Sequence, residues 1–235
     1  MTTATTARPG PQDALLITPR GAAWGAFAAA LVVAGLAVLI VRSWAPLLDV
    51  DRSVGTAIHD WALRTPWAVD VSRVLETIGR FRFAMWVVVA TTVVLLLTRR
   101  WWAALTLVVL AAVAPLVTDL LKLIVGRARP VWAVPLGSED TLSYPSGHAT
   151  AGIAVYAACA VAIGSLLRSP TWGAVVALTG ILLGIAIGLS RLVLGVHWPS
   201  DVVGGWGVAL AVAGAAGALF VLPRPPARRP PEGFH

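Results

Sequence analysis

The sequence predicts an all-α integral membrane protein, a bundle of six transmembrane helices with short interfacial helices between the first and the second. Three observations predict this fold class. Of the 235 residues, 58% are hydrophobic and 12% are charged, whereas about 25% of the residues in a soluble domain are charged. Six apolar segments of about the length that crosses a bilayer follow one another. The polar stretches between them are short, which leaves no room for a soluble domain.

The first apolar segment, residues 22–41, contains no charge and is long enough to span the membrane. Residues 1–21 are rich in Thr, Pro and Gly and are predicted to form a disordered tail. Residues 223–235 are rich in Pro and Arg and are likewise predicted to be unstructured. The sequence therefore predicts one membrane domain, residues 22–222.

Residues 43–80 differ from the spans because acidic and basic side chains alternate along them. Val54, Ile58 and Trp61 recur at helical spacing, and a second set with the same spacing follows. This pattern predicts two short amphipathic helices that lie at the membrane interface. His59 belongs to this region and is interpreted as a surface histidine.

Five further spans are predicted after this region. They are residues 83–98, 101–125, 149–167, 171–190 and 202–222. Glycines recur every fourth residue on the fifth span, at Gly180, Gly184 and Gly188. This face of small residues is expected to let a neighbouring helix approach closely.

The net charge of +7 does not indicate a nucleic-acid partner, because the basic residues are not gathered on a soluble face. Arginines that flank spans, together with an anion site, account for the charge. Six spans place both termini on one side of the membrane. Lysine and arginine are divided almost evenly between the two sides, so charge alone leaves the orientation open. The single cysteine, Cys159, excludes an intramolecular disulfide.

Polar residues gather at three places next to span ends. These are residues 122–130, 145–148 and 190–201. They follow the third span, precede the fourth, and join the fifth to the sixth. Because successive spans cross in opposite directions, all three clusters are predicted to lie on the same face of the membrane.

The cluster that joins the fifth and sixth spans has the pattern of an activated histidine. Trp198-Pro199 disfavours helix at residue 198, and Pro199 suits the first position of a new helix. His197 is therefore expected on the loop before that helix, with Asp201 in its first turn. A carboxylate that binds one ring nitrogen leaves the other free to attack. The alternative is a loop histidine beside an incidental aspartate.

The other two clusters suit an anion and a proton donor. Lys122 and Arg129 offer an ammonium and a guanidinium to phosphate oxygens, unless they simply flank a span. Ser146 is a good N-cap, and Gly147 allows close approach of a ligand to the backbone. His148 could protonate a leaving oxygen. The alternative is a capped helix that begins beside an interfacial histidine.

Taken in order, the three clusters resemble the signatures of a known family. The motifs are Lys-x6-Arg-Pro (Lys122 to Pro130), Pro-Ser-Gly-His (Pro145 to His148) and Ser-Arg-x5-His-x3-Asp (Ser190 to Asp201). They resemble those of the type-2 phosphatidic acid phosphatase superfamily, which includes membrane lipid phosphatases, glucose-6-phosphatase and the vanadium haloperoxidases. The six-span plan is similar to that of the lipid phosphatases.

The resemblance implies a role for each matched residue. His197 would attack phosphorus and form a phosphohistidine, Asp201 would orient it, and His148 would protonate the leaving group and later activate water. The residues implied to hold the phosphoryl oxygens are Lys122, Arg129, Ser146, Gly147 through its N–H, and Arg191. Arg127 matches no fixed position and is a secondary candidate.

No metal or other cofactor is expected, because the cations would take a metal's place at the phosphoryl group. A zinc site made of His148, His197 and Asp201 is the poorer interpretation, since clustered arginines would repel Zn²⁺.

The resemblance implies a metal-independent lipid phosphatase of the cell membrane, with its active site on the extracytoplasmic face. The implied substrates are phosphatidic acid, phosphatidylglycerophosphate or a polyprenyl diphosphate such as undecaprenyl diphosphate. Two alternatives stay open. One is a lipid phosphotransferase, which would pass the phosphoryl group to an acceptor. The other is a non-catalytic anion-binding transporter, although charged residues at span ends rather than inside spans argue against transport.

Overall fold

The computed structural model describes residues 19–220 as helices joined by short loops, with no strand in that range. The helices are α1 (Pro19–Val41), α2 (Ala45–Leu63), α3 (Pro66–Gly79), α4 (Phe81–Leu97), α5 (Trp101–Val125), α6 (Gly147–Ala151), a π-helical segment (Gly152–Ala157), α7 (Ala158–Gly164), α8 (Pro170–Val193) and α9 (Pro199–Phe220). The tails predicted to be disordered lie almost entirely outside the described residues. Only residues 19–21 of the first tail are described, and they already belong to α1.

Proline and glycine set several helix boundaries. Pro66, Pro170 and Pro199 each occupy the first position of a helix, where the missing N–H costs no hydrogen bond. Gly126 ends α5 with a left-handed φ of 64°, a conformation that glycine adopts without strain. Pro19 begins α1 three residues before the predicted span, because a proline is also tolerated in a first helical turn.

Five helical segments are long and apolar enough to cross a membrane, so the chain is a multi-pass membrane protein. They are Arg20–Val41, Trp101–Val125, Gly147–Gly164, Pro170–Val193 and Pro199–Leu219. A sixth span results if α3 and α4, which meet at an angle of 56°, are taken together. The count of six and the interfacial position of α2 and α3 therefore stay predictions.

Close helix packing depends on the small-residue face of α8, as predicted. A Cβ atom on Gly184 would overlap the backbone carbonyl of Gly152 in the π-helical segment. Gly180 lies equally close to Ala160 of α7, and Gly188 lies against the indole of Trp206 in α9. This packing places the N-terminal end of α6 beside the C-terminal end of α8. Both helix ends carry predicted site residues.

The interpretation of His59 as a surface histidine is wrong. Its side chain is only 4% exposed, and its ring stacks on Trp132 with 4.3 Å between centroids and 11° between planes. Trp132 belongs to the polar loop between α5 and α6, which folds over α2. Helical periodicity within α2 carries no information about this distant loop.

Substitution of Gly184 by valine is expected to destabilise the bundle by about 1–3 kcal/mol, because the added side chain would force α8 away from the π-helical segment. The measurement is the midpoint of thermal unfolding in detergent. Gly35→Ala in α1 is the matched control, since an added Cβ there meets no atom within 4 Å. Equal midpoints for Gly184→Val and wild type would contradict this packing.

Candidate active site

The three polar clusters meet at one end of the helix bundle. Arg129 Nη1 lies 3.0 Å from His197 Nε2. Lys122 and Arg129 both donate to the hydroxyl of Thr141, over 3.1 and 2.9 Å. His148 lines the same cavity as Lys122. The three clusters therefore lie at the same end of the bundle, as expected if they share one face of the membrane.

His197 occupies the turn between α8 and α9, as predicted. Gly195 makes the turn possible with a left-handed φ of 68°. His197 is buried, with 3% of its surface exposed. Its Nε2 faces Arg129, and its Nδ1 lies 3.4 Å from both Ser143 Oγ and Asp201 Oδ2. With a proton on Nδ1, the Nε2 lone pair is directed toward the cationic side of the site.

The pKa of His197 is lowered to about 4 from an ordinary value of 6.5, chiefly by burial and also by the charges of Arg129 and Arg191. The neighbouring Asp201 carboxylate opposes this shift in the pKa. His197 is therefore neutral at pH 7, which is the state that a nucleophilic nitrogen requires.

Asp201 lies in the first turn of α9, and its carboxylate is fully buried. Oδ2 accepts hydrogen bonds from Ser143 Oγ at 2.5 Å and from the Trp198 N–H at 2.8 Å. Oδ1 accepts a hydrogen bond from Arg127 Nη1 at 2.7 Å. The 3.4 Å to His197 Nδ1 exceeds a normal hydrogen bond. Contacts of this kind commonly shorten only when a substrate is bound.

The cations of the site are held by the loop between α5 and α6. Arg129 Nε donates to the Thr141 carbonyl oxygen at 2.6 Å. Burial lowers the pKa of Arg129, Arg191 adds to this effect, and Glu139 opposes it. Because the ordinary pKa of arginine is so high, the guanidinium keeps its charge.

Arg191 has a fully buried side chain with hydrogen-bond donors to spare. Nη2 donates to Glu139 Oε1 at 2.6 Å, and Nη1 lies 3.3 Å from Glu76 Oε1. Within the described residues, neither Nε nor Nη1 has a hydrogen-bond partner. Buried donors are nearly always satisfied, so these two are available to the oxygens of a bound anion.

His148 lies in the first turn of α6, next to Gly147, whose backbone is not covered by other atoms. Ser146 caps this helix, as predicted, by accepting from the Ala149 N–H at 3.4 Å. A Cβ on Gly147 would meet no atom within 4 Å. The buried Nε2 of the His148 imidazole has no hydrogen-bond partner in the described chain. This nitrogen can therefore give or take a proton at a ligand.

A cavity of about 350 Å³ opens between α4, α5 and α6, with a polar and an apolar end. Its polar wall includes Lys122, Glu139 and His148, and its apolar wall includes Phe81 and Met85. A second cavity of about 340 Å³, almost entirely apolar, lies between α4 and α5 and shares Met85 and Ala111 with the first as lining residues. The pair can accommodate a charged group at one end and a hydrocarbon chain at the other.

Sequence reasoning missed several side chains that bind site residues, among them Thr141, which binds Lys122 and Arg129. Ser143 binds Asp201, Glu139 binds Arg191, and Asp51 and Ser200 bind Arg127. Asp51, Gly55, His59 and Ala62 share the buried face of α2, and this spacing of small and polar residues could have indicated Asp51.

The three side chains considered as an alternative zinc site are not grouped as metal ligands. Within the described part of the chain, no three His, Cys, Asp or Glu side chains could hold a metal ion together. His148 faces the cavity, whereas Asp201 is enclosed by protein hydrogen-bond donors.

Comparisons with known proteins agree with the motifs. A family model described as the PAP2 superfamily matches residues 101–221, just over half of the chain. Phosphatidylglycerophosphatase B of Bacillus subtilis (strain 168) is 29% identical over 150 residues, which are 63% of this chain and 73% of that protein. An undecaprenyl-diphosphatase of Sulfolobus acidocaldarius is 42% identical over 64 residues, which are 27% of each protein.

A solved structure shares the fold. The crystal structure described as that of the first transmembrane PAP2 type phosphatidylglycerolphosphate phosphatase from Bacillus subtilis superposes with a TM-score of 0.74 and 25% identity. The match covers 82% of this chain and 94% of that chain.

Nitrogen-15 NMR of histidine-labelled protein is expected to show the His197 ring neutral from pH 7 down to about pH 4.5. The pKa of His197 lies at about 4 when folded and at the ordinary 6.5 when unfolded, so unfolding takes up a proton as the pH falls through this window. Acid therefore destabilises the fold. The signal is assigned by its loss in His197→Gln. A ring protonated at pH 6 would contradict the burial argument.

Proposed function

Because this chain belongs to the PAP2 superfamily, we propose that it is a membrane phosphatase that hydrolyses the phosphate monoester or diphosphate of a lipid through a phosphohistidine on His197. One observation carries the proposal. The neutral Nε2 of His197 faces the Arg129 guanidinium at 3.0 Å, and Arg129 shares the Thr141 hydroxyl with Lys122, which lines a cavity together with His148. A nucleophile among cations is what phosphoryl transfer requires.

In the first step, His197 Nε2 attacks phosphorus and the bond from phosphorus to the lipid oxygen breaks. Lys122, Arg129 and Arg191 hold the equatorial oxygens, where negative charge accumulates. Asp201 stabilises the positive charge on the ring through Nδ1–H. His148, protonated at Nε2, gives its proton to the leaving oxygen.

In the second step, water replaces the lipid oxygen. His148, now neutral, removes a proton from a water molecule that attacks phosphorus, and the bond to His197 Nε2 breaks. Inorganic phosphate leaves, and both histidines return to their starting states. Ser146 and the Gly147 N–H stand at the N-terminal end of α6, where an anion is favoured.

The two cavities, which share Met85 and Ala111 as lining residues, support a lipid as the substrate. The first contains Lys122 and His148, and the second runs between α4 and α5 along Met85. The relatives are named for phosphatidylglycerophosphate and undecaprenyl diphosphate. We infer that the substrate is phosphatidylglycerophosphate, phosphatidic acid or a polyprenyl diphosphate. We place the active site on the extracytoplasmic face of the cell membrane.

The test is phosphate release by purified protein in detergent with EDTA, from phosphatidic acid and from a polyprenyl diphosphate. His197→Ala is expected to abolish release because it removes the attacking atom. Arg191→Ala is expected to lower kcat by roughly 10²–10³-fold because it removes a transition-state donor. Release by the wild-type protein should be unchanged by EDTA.

The surface variant Arg73→Ala is the control for both substitutions, since the Arg73 side chain is exposed and pairs with Asp70 at 3.6 Å. Release that persists in His197→Ala would exclude the phosphohistidine. Label that appears on an acceptor alcohol and not in solution would favour the phosphotransferase. Binding without turnover would favour the transporter.

Substitution of Gly79 by alanine is expected to lower kcat by roughly 10- to 100-fold, because small displacements of a catalytic group are costly. A Cβ on Gly79 would lie 2.8 Å from His148 Cδ2 and would push the imidazole out of line. The measurement is phosphate release under the conditions above. Gly25→Ala is the control, as its Cβ would meet no atom within 4 Å. An unchanged kcat would contradict the expectation that catalysis requires the His148 imidazole in its observed position.

A further inference from the structure

Arg127 is buried behind the site and bridges two carboxylates. Its side chain is 8% exposed. Nη1 donates to Asp201 Oδ1 at 2.7 Å, and Nη2 donates to Asp51 Oδ2 at 2.6 Å. Arg127 comes from the loop after α5, Asp51 from α2, and Asp201 from α9. One guanidinium thus joins three parts of the bundle that are far apart in the sequence.

Asp51 also binds the first turn of α9. Its Oδ1 accepts from the Ser200 N–H at 2.9 Å, and its Oδ2 accepts from the Ser200 hydroxyl at 2.6 Å. Arg127 Nη1 lies 2.7 Å from the same Ser200 oxygen. A carboxylate at a helix N-terminus satisfies an unpaired N–H and favours the helix dipole. Asp51 therefore holds the helix that presents Asp201.

Arg127 is not placed to bind a phosphate group. Both of its terminal nitrogens are occupied by carboxylates, and its Cζ lies 5.7 Å from the centre of the Trp198 ring. The cavity beside it is lined by residues of α1, α2 and the loop after α5, and it shares no residue with the cavity that contains His148. Arg127 therefore meets the far side of the Asp201 carboxylate.

We propose that Arg127, with Asp51 and Ser200, is a positioning residue that acts on His197 through Asp201. The inference rests on the proposed phosphohistidine chemistry. Asp201 Oδ2 faces His197 Nδ1, and its Oδ1 is fixed by Arg127. Rotation of the carboxylate would break both contacts together. The two-pronged guanidinium prevents this rotation and balances one of the two buried negative charges.

Removal of Arg127 leaves two buried carboxylates without a cation, which is strongly unfavourable. Arg127→Gln is therefore expected to lower kcat by roughly 10- to 100-fold, with KM for phosphatidic acid within about 2-fold of wild type. KM is unaffected because the phosphate-binding side chains are untouched. Arg127→Lys keeps the positive charge but cannot bind Asp51 and Asp201 with two separate nitrogens. It is therefore expected to recover part of the loss in kcat.

The double variant Arg127→Gln/Asp51→Asn distinguishes positioning from charge balance. It removes one charge of each sign, so its unfolding midpoint is expected to recover toward wild type. Its kcat is expected to stay low, because Oδ1 of Asp201 still lacks its partner. Arg52→Gln is the matched control, an exposed arginine on α2 next to Asp51. A double variant with wild-type kcat, or a rise in KM alone for Arg127→Gln, would overturn the proposal.

A second readout does not depend on turnover. Nitrogen-15 NMR is expected to show the Nδ1–H tautomer of His197 in the wild type and a mixture of tautomers in Arg127→Gln. Unchanged tautomer populations in this variant would overturn the positioning role. Absence of wild-type phosphate release would count against the proposed function alone, because the NMR comparison would still decide the role of Arg127.

Discussion

Every buried charge at this end of the bundle must be paired, and much of the site architecture follows from that constraint. An unpaired charge away from water costs several kcal/mol. Arg127 is therefore matched by Asp51 and Asp201, and Arg191 by Glu139 and Glu76. These pairs tie α2, α3 and the loop after α5 to the helix ends that carry the histidines. Hydrophobic packing builds the spans, and the charge pairs align them.

Local signals predicted the parts of the structure that depend on neighbouring residues. Pro199 placed the start of α9, and with it His197 on the loop and Asp201 in the first turn. Ser146 was correctly predicted to cap α6. The motif residues were found because their spacing is fixed along the chain. Glu139 and Ser143 were not, since their partners Arg191 and Asp201 are more than fifty residues away and no pattern within the loop indicates them.

The amphipathic pattern of α2 identified its apolar face but not what the opposite face contacts. Val54 and Trp61 of the apolar face are exposed, whereas Asp51, His59 and Ala62 face the protein. In a membrane protein, apolar side chains lose nothing by facing lipid, so the interior collects small and polar residues. The face of α2 opposite the predicted apolar face therefore carries His59 and Asp51 into the protein, where the sequence pattern predicted a surface histidine and did not indicate Asp51.

The ion pair between Arg191 and Glu139 affects how strongly this site would hold an anion, because it balances the charge of Arg191 before the anion arrives. Glu139 Oε1 already occupies Nη2 of the guanidinium at 2.6 Å, so an arriving phosphate would meet a cation whose charge is already balanced and would bind through the other two nitrogens. The free-energy cost of removing the Arg191 guanidinium from water arises once, during folding. When the product leaves, the Glu139 carboxylate would still balance Arg191, so this arginine would not retain the phosphate as an unbalanced positive charge would.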